Sequence, residues 1–176
     1  AERVKRRLTR SVDHWFAYTD RTRGLVCADG MPADRVTTVN NTLDTRRLAE
    51  WHARITDGER VALRHELGIG PADPVAVFCS RLYRRKRLHF LLRSAVRLRG
   101  LVPAAHLVII GDGPDAGLIR QFAARHRWCH VVGACYGERK VRLFDLARVQ
   151  LMPGPVGLHV VESFATLTPL LAIEQP

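Results

Sequence analysis

From Pro74 onward the apolar and polar positions follow two alternating periods. PVAVFCS (74–80) is a short unbroken apolar run of small and β-branched residues, followed by a basic turn and then by LHFLLRSAVRLRG. In that second segment Leu88, Leu91, Leu92, Ala95 and Val96 recur at helical spacing, and Gly100 and Pro103 supply stop signals. The spacing predicts a strand followed by an amphipathic helix. The cycle repeats through HLVIIG as strand, DGPDAGLIRQFAARH as turn and helix, WCHVVG as strand, ERKVRLFDLA as short helix, VQLMP as strand, HVVESFA as helix and LLAIE as a last strand. Such alternation with short connections implies parallel strands joined by right-handed crossovers, in a sheet covered on both faces. The expected fold class is α/β, a parallel sheet with flanking helices. Ligands in such folds bind beyond the carboxyl ends of the strands, and the loops beginning at Ser80, Gly111, Gly133 and Pro153 share that edge.

The first 45 residues follow another pattern. Trp15 to Cys27 is predicted as a helix, and RVTTVNNTL (35–43) as a strand entering a polar turn. Thr45 to Leu67 is charged and helical in period, with Leu48 and Trp51 as packing residues, and it ends at Gly68 and Gly70. The organisation expected is 1–45 as part of a separate unit, 46–73 as a helical connector and 74–176 as the α/β domain.

Composition narrows the function classes. An apolar fraction of 47% and a charged fraction of 26% over 176 residues are those of a soluble globular protein. The start is not signal-like, and no apolar run approaches the ~20 residues a bilayer span needs, so the expected location is cytoplasmic, or peripheral to the inner face of a membrane. Net charge is +11, and of the 28 basic residues only Lys5, Lys86 and Lys140 are lysines. An excess of this size attracts nucleic acid or anionic membrane, and GC-rich coding also favours Arg. The basic runs Val4 to Arg10 and Arg84 to Arg87 lack the interleaved aromatics that stack on bases, which argues against nucleic acid and leaves membrane attraction open. The four cysteines form no CxxC pair, so no disulfide framework is expected. His126, Cys129, His130 and Cys135 are close in sequence, but strand alternation from Cys129 to Val132 would turn them to opposite faces, and no metal site is expected.

Three segments carry candidate chemistry. VGLHVVESFA (156–165) puts the turn glycine Gly157 and the amide of Leu158 at a helix entrance, with Glu162 on the first turns. Such an entrance suits a phosphate, and an acidic residue beyond it can accept hydrogen bonds from ligand hydroxyls, although a plain strand-to-helix turn has the same signature. In SRLYRRK, Arg81 and Lys86 flank the turn after the first strand and suit a diphosphate, or form a solvated basic loop. Chain order brings both segments to one sheet edge. GDGP offers the amides of Gly111, Asp112 and Gly113, but the dinucleotide fingerprint GxGxxG fails at Ala116, and no acidic residue ends the second strand, which argues against a dehydrogenase.

Taken in order, SRLYRRK, HLVIIGDGP, HVVG, LMPGPVGLHVVESFA and TPLL resemble the C-terminal, Rossmann-like nucleotide-sugar-binding domain of GT-B fold glycosyltransferases of the large family 4 type. DHWFAYTD and RVTTVNNTLDTRRL resemble the end of that family's N-terminal domain and its hinge. The resemblance implies that Arg81 and Lys86 bind the donor diphosphate and stabilise the leaving group, supported by the amides of Gly157 and Leu158. It implies that Glu162 accepts from the ribose and that Ala134 and Cys135 lie against the base. The reaction implied is retaining transfer of a sugar from a UDP- or GDP-sugar to an acceptor hydroxyl of a glycan, lipid or small molecule, with no cofactor and no obligatory metal.

The departures from that pattern are specific. Gly154 stands eight positions before Glu162, where the family commonly has a glutamate that touches the donor sugar, although some branches share the PGxVGL form. Ser80 and Arg87 replace glycines flanking the Arg and Lys, and Leu167 replaces one that ends the helix in the left-handed region. Most of a GT-B N-terminal domain and the closing elements of the second domain are not matched. The expectation is a glycosyltransferase fragment that binds nucleotide without turnover. The alternatives are a non-catalytic nucleotide-binding or regulatory module and a basic nucleic-acid or membrane-surface binder.

Overall fold

In the computed structural model, which describes residues 2–173, the chain divides into two compact units, Ala1–Leu43 and Asp44–Pro176. The first unit runs α1 (Glu2–Arg10), β1 (Trp15–Ala17), α2 (Asp20–Ala28), a 3-10 turn (Ala33–Arg35) and β2 (Val36–Thr38). β1 and β2 pair in parallel, Trp15 opposite Val36, over a small core of Ala17, Val26, Met31 and Val36. The helix expected over Trp15 to Cys27 is therefore a strand and a helix. Aromatic Trp15 and Phe16 favour extended backbone, and Thr19, itself extended, starts α2 by accepting from the Thr22 amide. The strand expected over 35–43 is confined to Val36–Thr38, and Asn40 turns the chain at φ 47°.

The second unit contains α3 (Thr45–Ala53), α4 (Asp57–Leu67), β3 (Val75–Cys79), a 3-10 turn (Arg84–Lys86), α5 (Leu88–Leu101), β4 (His106–Ile110), α6 (Ala116–Arg125), β5 (Cys129–Gly133), α7 (Gly137–Asp145), β6 (Val149–Met152), α8 (His159–Ala165) and β7 (Leu170–Ala172). Glu174 of the expected final strand lies outside the described residues. The five-stranded sheet has the order β5-β4-β3-β6-β7 with every pairing parallel. This is the doubly wound arrangement expected of the alternating pattern.

Alternation along β3 and β4 explains why both sheet faces are apolar. Ala76, Phe78, Leu107 and Ile109 face α5 and α6, where Leu88, Leu91, Leu92 and Ile119 complete one core. Val75, Val77, Val108 and Ile110 face the other way, onto Leu63 of α4 and Leu143 and Phe144 of α7. Each fully buried side chain of this size is worth roughly 1.5–3 kcal/mol.

The segment 46–73 is built into the second unit. A capping box between Thr56 and Glu59 starts α4, and Gly68 ends it at φ 64°. Arg60 then clamps the Asp145 carboxylate of α7 with Nε at 2.7 Å and Nη2 at 3.2 Å, while His52 of α3 approaches the same carboxylate at 3.2 Å. Arg87 and Leu167, which stand where the resemblance expects glycines, both adopt φ 52°. The glycine conformation is kept without glycine, at a cost on the order of 1–3 kcal/mol at each position.

Candidate functional site

The strand order reverses on either side of β3: β4 and β5 lie to one side, β6 and β7 to the other. A crevice forms beyond the strand ends at such a switch point. Here it is a cleft of about 530 Å³ whose walls are Cys79, Ser80 and Arg81 after β3, Asp112 and Gly113 after β4, and Ala134, Cys135 and Tyr136 after β5. Lys140 of α7 and His159 of α8 close it. Of the residues singled out in the sequence, Arg81, Asp112, Gly113, Ala134 and Cys135 are thus brought together.

Backbone contact positions Arg81. The Leu82 side chain is fully buried, its amide donates to Asp112 O at 2.9 Å, and its carbonyl accepts from Asp115 N at 3.1 Å, so the exposed Arg81 is anchored beside the second loop. Gly111 and Gly113 make this approach possible: at φ 141° and 159°, a Cβ added to them would lie 1.9 Å from Ser80 O and 2.3 Å from Leu82 O. The glycines of GDGP serve close backbone packing, and Asp112 caps the loop by accepting from the Gly113 amide at 2.8 Å.

Other candidates lie outside the cleft lining. Lys86 is 8% exposed, and its ammonium donates to Pro155 O at 2.6 Å, tying the 84–86 turn to the loop after β6. Burial, and then the neighbouring Arg85, lower its pKa from the ordinary lysine value. Gly157, at φ 58°, and Leu158 precede the seven-residue α8, and the cleft is met there by His159.

Glu162 is 3% exposed and sits behind the cleft wall, ion-paired with Lys140 through Oε1 and facing His159 Nδ1 at 3.4 Å through Oε2. Burial alone would raise its pKa; the His159 and Lys140 contacts outweigh that and hold it below the usual carboxylate range. For Lys140, burial works against the charge, but the paired Glu162 carboxylate offsets it, and the ammonium is held above the ordinary lysine value. The Cys79 thiol is pushed up to about 12 by burial and stays protonated.

Tyr136, Lys140 and His159 line the cleft without having been candidates from the sequence. A signal for Lys140 was present: on the helix GERKVRLFD, position 140 lies one turn before the buried Phe144. A lysine on that inward side needs a buried partner. Among the described residues no group of three or more His, Cys, Asp or Glu is placed to hold a metal ion. Of the four residues weighed for zinc, His130 instead meets His106, Nε2 to Nδ1 at 2.8 Å, and His126 meets Phe122 O at 2.9 Å. No helix among the described residues is long and apolar enough to cross a membrane.

Comparison with known proteins agrees with this fold. A D-inositol 3-phosphate glycosyltransferase of Nocardia farcinica is 27% identical over 97% of this chain and 39% of its own length. HepE of Anabaena, solved in complex with UDP-glucose, superposes with a TM-score of 0.70 at 19% identity over 97% of this chain and 47% of its own. A glycosyltransferase of Rickettsia africae superposes with a TM-score of 0.71 at 11% identity over 95% and 47% of the two chains. The chain thus spans less than half the length of each of these relatives. The sequence pattern of the glycosyl transferases group 1 family matches residues 73–176, which contain the whole sheet and its cleft, and the chain belongs to that family.

Proposed function

We propose that this chain supplies the donor-binding side of a sugar-nucleotide-dependent glycosyltransferase that works with retention of configuration. The observation that carries the reading is the convergence of Arg81 with the loops at 111–113 and 134–136 in one cleft at the switch point of the sheet. HepE, of the same fold, is described with UDP-glucose bound.

In this reading the donor diphosphate lies beside Arg81. The bond between the sugar's anomeric carbon and the diphosphate oxygen breaks, and an acceptor hydroxyl forms the new bond to that carbon as its proton passes to the departing diphosphate oxygen. Charge grows on the departing phosphate oxygen, and the guanidinium meets it with a charge-assisted fork, in the place a divalent cation takes in other enzymes. The base lies along Ala134 and Cys135, where Tyr136, 81% exposed, offers a face for stacking. The net charge of +11 also supports attraction to an anionic membrane surface.

Gly154 favours a second reading, a nucleotide-binding module without transfer. It is packed so closely on the backbone of Arg85 and Lys86 that a side chain reaching for a sugar has no room as the chain now runs. Calorimetric titration with UDP, GDP and UDP-glucose separates the readings. Saturable binding weakened at least about tenfold by Arg81→Ala, the loss of one charge-assisted contact, is expected. Binding of UDP-glucose no tighter than UDP favours the module, and tighter binding of UDP-glucose favours the donor site. Binding steep in salt and indifferent to the nucleotide defeats both.

A further inference from the structure

The cleft has its own buried ion pair, and the two charges face differently. The Lys140 side chain is 22% exposed and lines the cleft, whereas the Glu162 side chain behind it is 4% exposed and does not. An ammonium has three N–H donors. One is used on Glu162, and among the described residues no other hydrogen bond of the group competes for the remaining two; its further contact is the face of Phe144 at 5.7 Å. Lys86, the cation that the motif after β3 would send to a diphosphate, is 8% exposed, donates to Pro155 O and is not part of the cleft lining.

We propose that Lys140, presented by the buried carboxylate of Glu162, is the second phosphate-binding cation of this cleft, partnering Arg81 in the place that the motif reserves for Lys86. The inference rests on the nucleoside-diphosphate reading of the cleft and deepens it. Glu162 is then a positioning residue: it keeps the ammonium charged in a half-buried site and acts on the ligand through it. The arrangement fixes the subsite as one for a phosphate oxygen, because a neutral hydroxyl gives a buried cation much less in return.

Calorimetric titration of the 176-residue chain with UDP and, separately, with inorganic pyrophosphate tests this. Lys140→Met and the charge-balanced pair Lys140→Met/Glu162→Gln each raise Kd for both probes at least about tenfold, the loss expected of one charged hydrogen bond. Arg97→Met, which removes an exposed cation on α5 outside the cleft, leaves Kd within about twofold, since a distant surface charge is screened. A folded double variant that binds pyrophosphate like the wild type overturns the proposal. UDP binding that needs Arg81 but not Lys140 keeps the nucleotide reading and removes the proposal. Pyrophosphate binding that needs Lys140, with no UDP binding, keeps the proposal and removes the nucleotide reading. A wild type that binds neither probe removes both.

Discussion

The ammonium of Lys86 donates to the carbonyl oxygen of Pro155 across 2.6 Å, joining residues 69 positions apart in the sequence. The turns after β3 and β6, the two central strands at the switch point, are thereby held at a fixed spacing. A buried charged hydrogen bond of this kind is worth about 1.5–3 kcal/mol. Lys86→Met keeps the stem and removes the donor, and a loss of stability of that size is expected in thermal or urea unfolding. An unchanged unfolding midpoint would show that the tether carries no weight.

Gly154 lies under the same turn. A Cβ added there would stand 2.6 Å from Arg85 O and 2.7 Å from Lys86 Cα, both backbone atoms with little freedom to yield. Gly154→Ala is expected to cost about 1–3 kcal/mol, the usual effect of overpacking. Gly100, inside α5 with open space around it, provides the contrast: Gly100→Ala should stabilise by roughly 0.5–1 kcal/mol through helix propensity. Urea midpoints that move in the same direction for both variants would contradict the packing account.

At the opposite end of the strands His130 Nε2 meets His106 Nδ1 at 2.8 Å, and His106 Nε2 meets Asp73 at 3.3 Å. The network assigns His130 Nε2 as donor to His106 and His106 Nε2–H as donor to the carboxylate. Burial first, and then His106, lower the His130 pKa to about 4; burial likewise lowers that of His106. Both histidines are therefore neutral in the fold at a pH where the unfolded chain already takes up protons. The unfolded state binds more protons between about pH 6.5 and 4, so stability is full above that window and falls as pH drops through it. His130→Gln, which cannot titrate, is expected to reduce the loss of melting temperature between pH 8 and pH 5. An equal loss in wild type and variant would place the acid sensitivity elsewhere.

Much of the second unit is legible locally. β3 and α5 announce themselves because a short β-branched run and a 3.6-residue stripe have different periods, and both are satisfied by neighbours a few residues away. Trp15 to Cys27 misled because its apolar positions fit a helix, while pairing of Trp15 with Val36, 21 residues on, made the first part a strand. The left-handed turn at Leu167 was foreseeable from the family motif, and both it and the one at Arg87 survive the loss of glycine, with the backbone bonds Arg87 N to Arg84 O and Thr168 N to Ser163 O closing the two turns.

The sequence by itself determined the alternation of strand and helix, the parallel sheet and the loops that border the cleft, all of which follow from spacing. It also marked Arg81 as a cleft residue, because that side chain directly follows a buried strand. Which lysine faces the cleft was decided only by tertiary structure. Lys86 and Lys140 are equally basic on paper, but one finds the Pro155 carbonyl and the other the Glu162 carboxylate. A buried cation goes where a partner relieves the cost of leaving water. Those partners lie 69 and 22 residues away, and only the folding of the sheet brings them within reach.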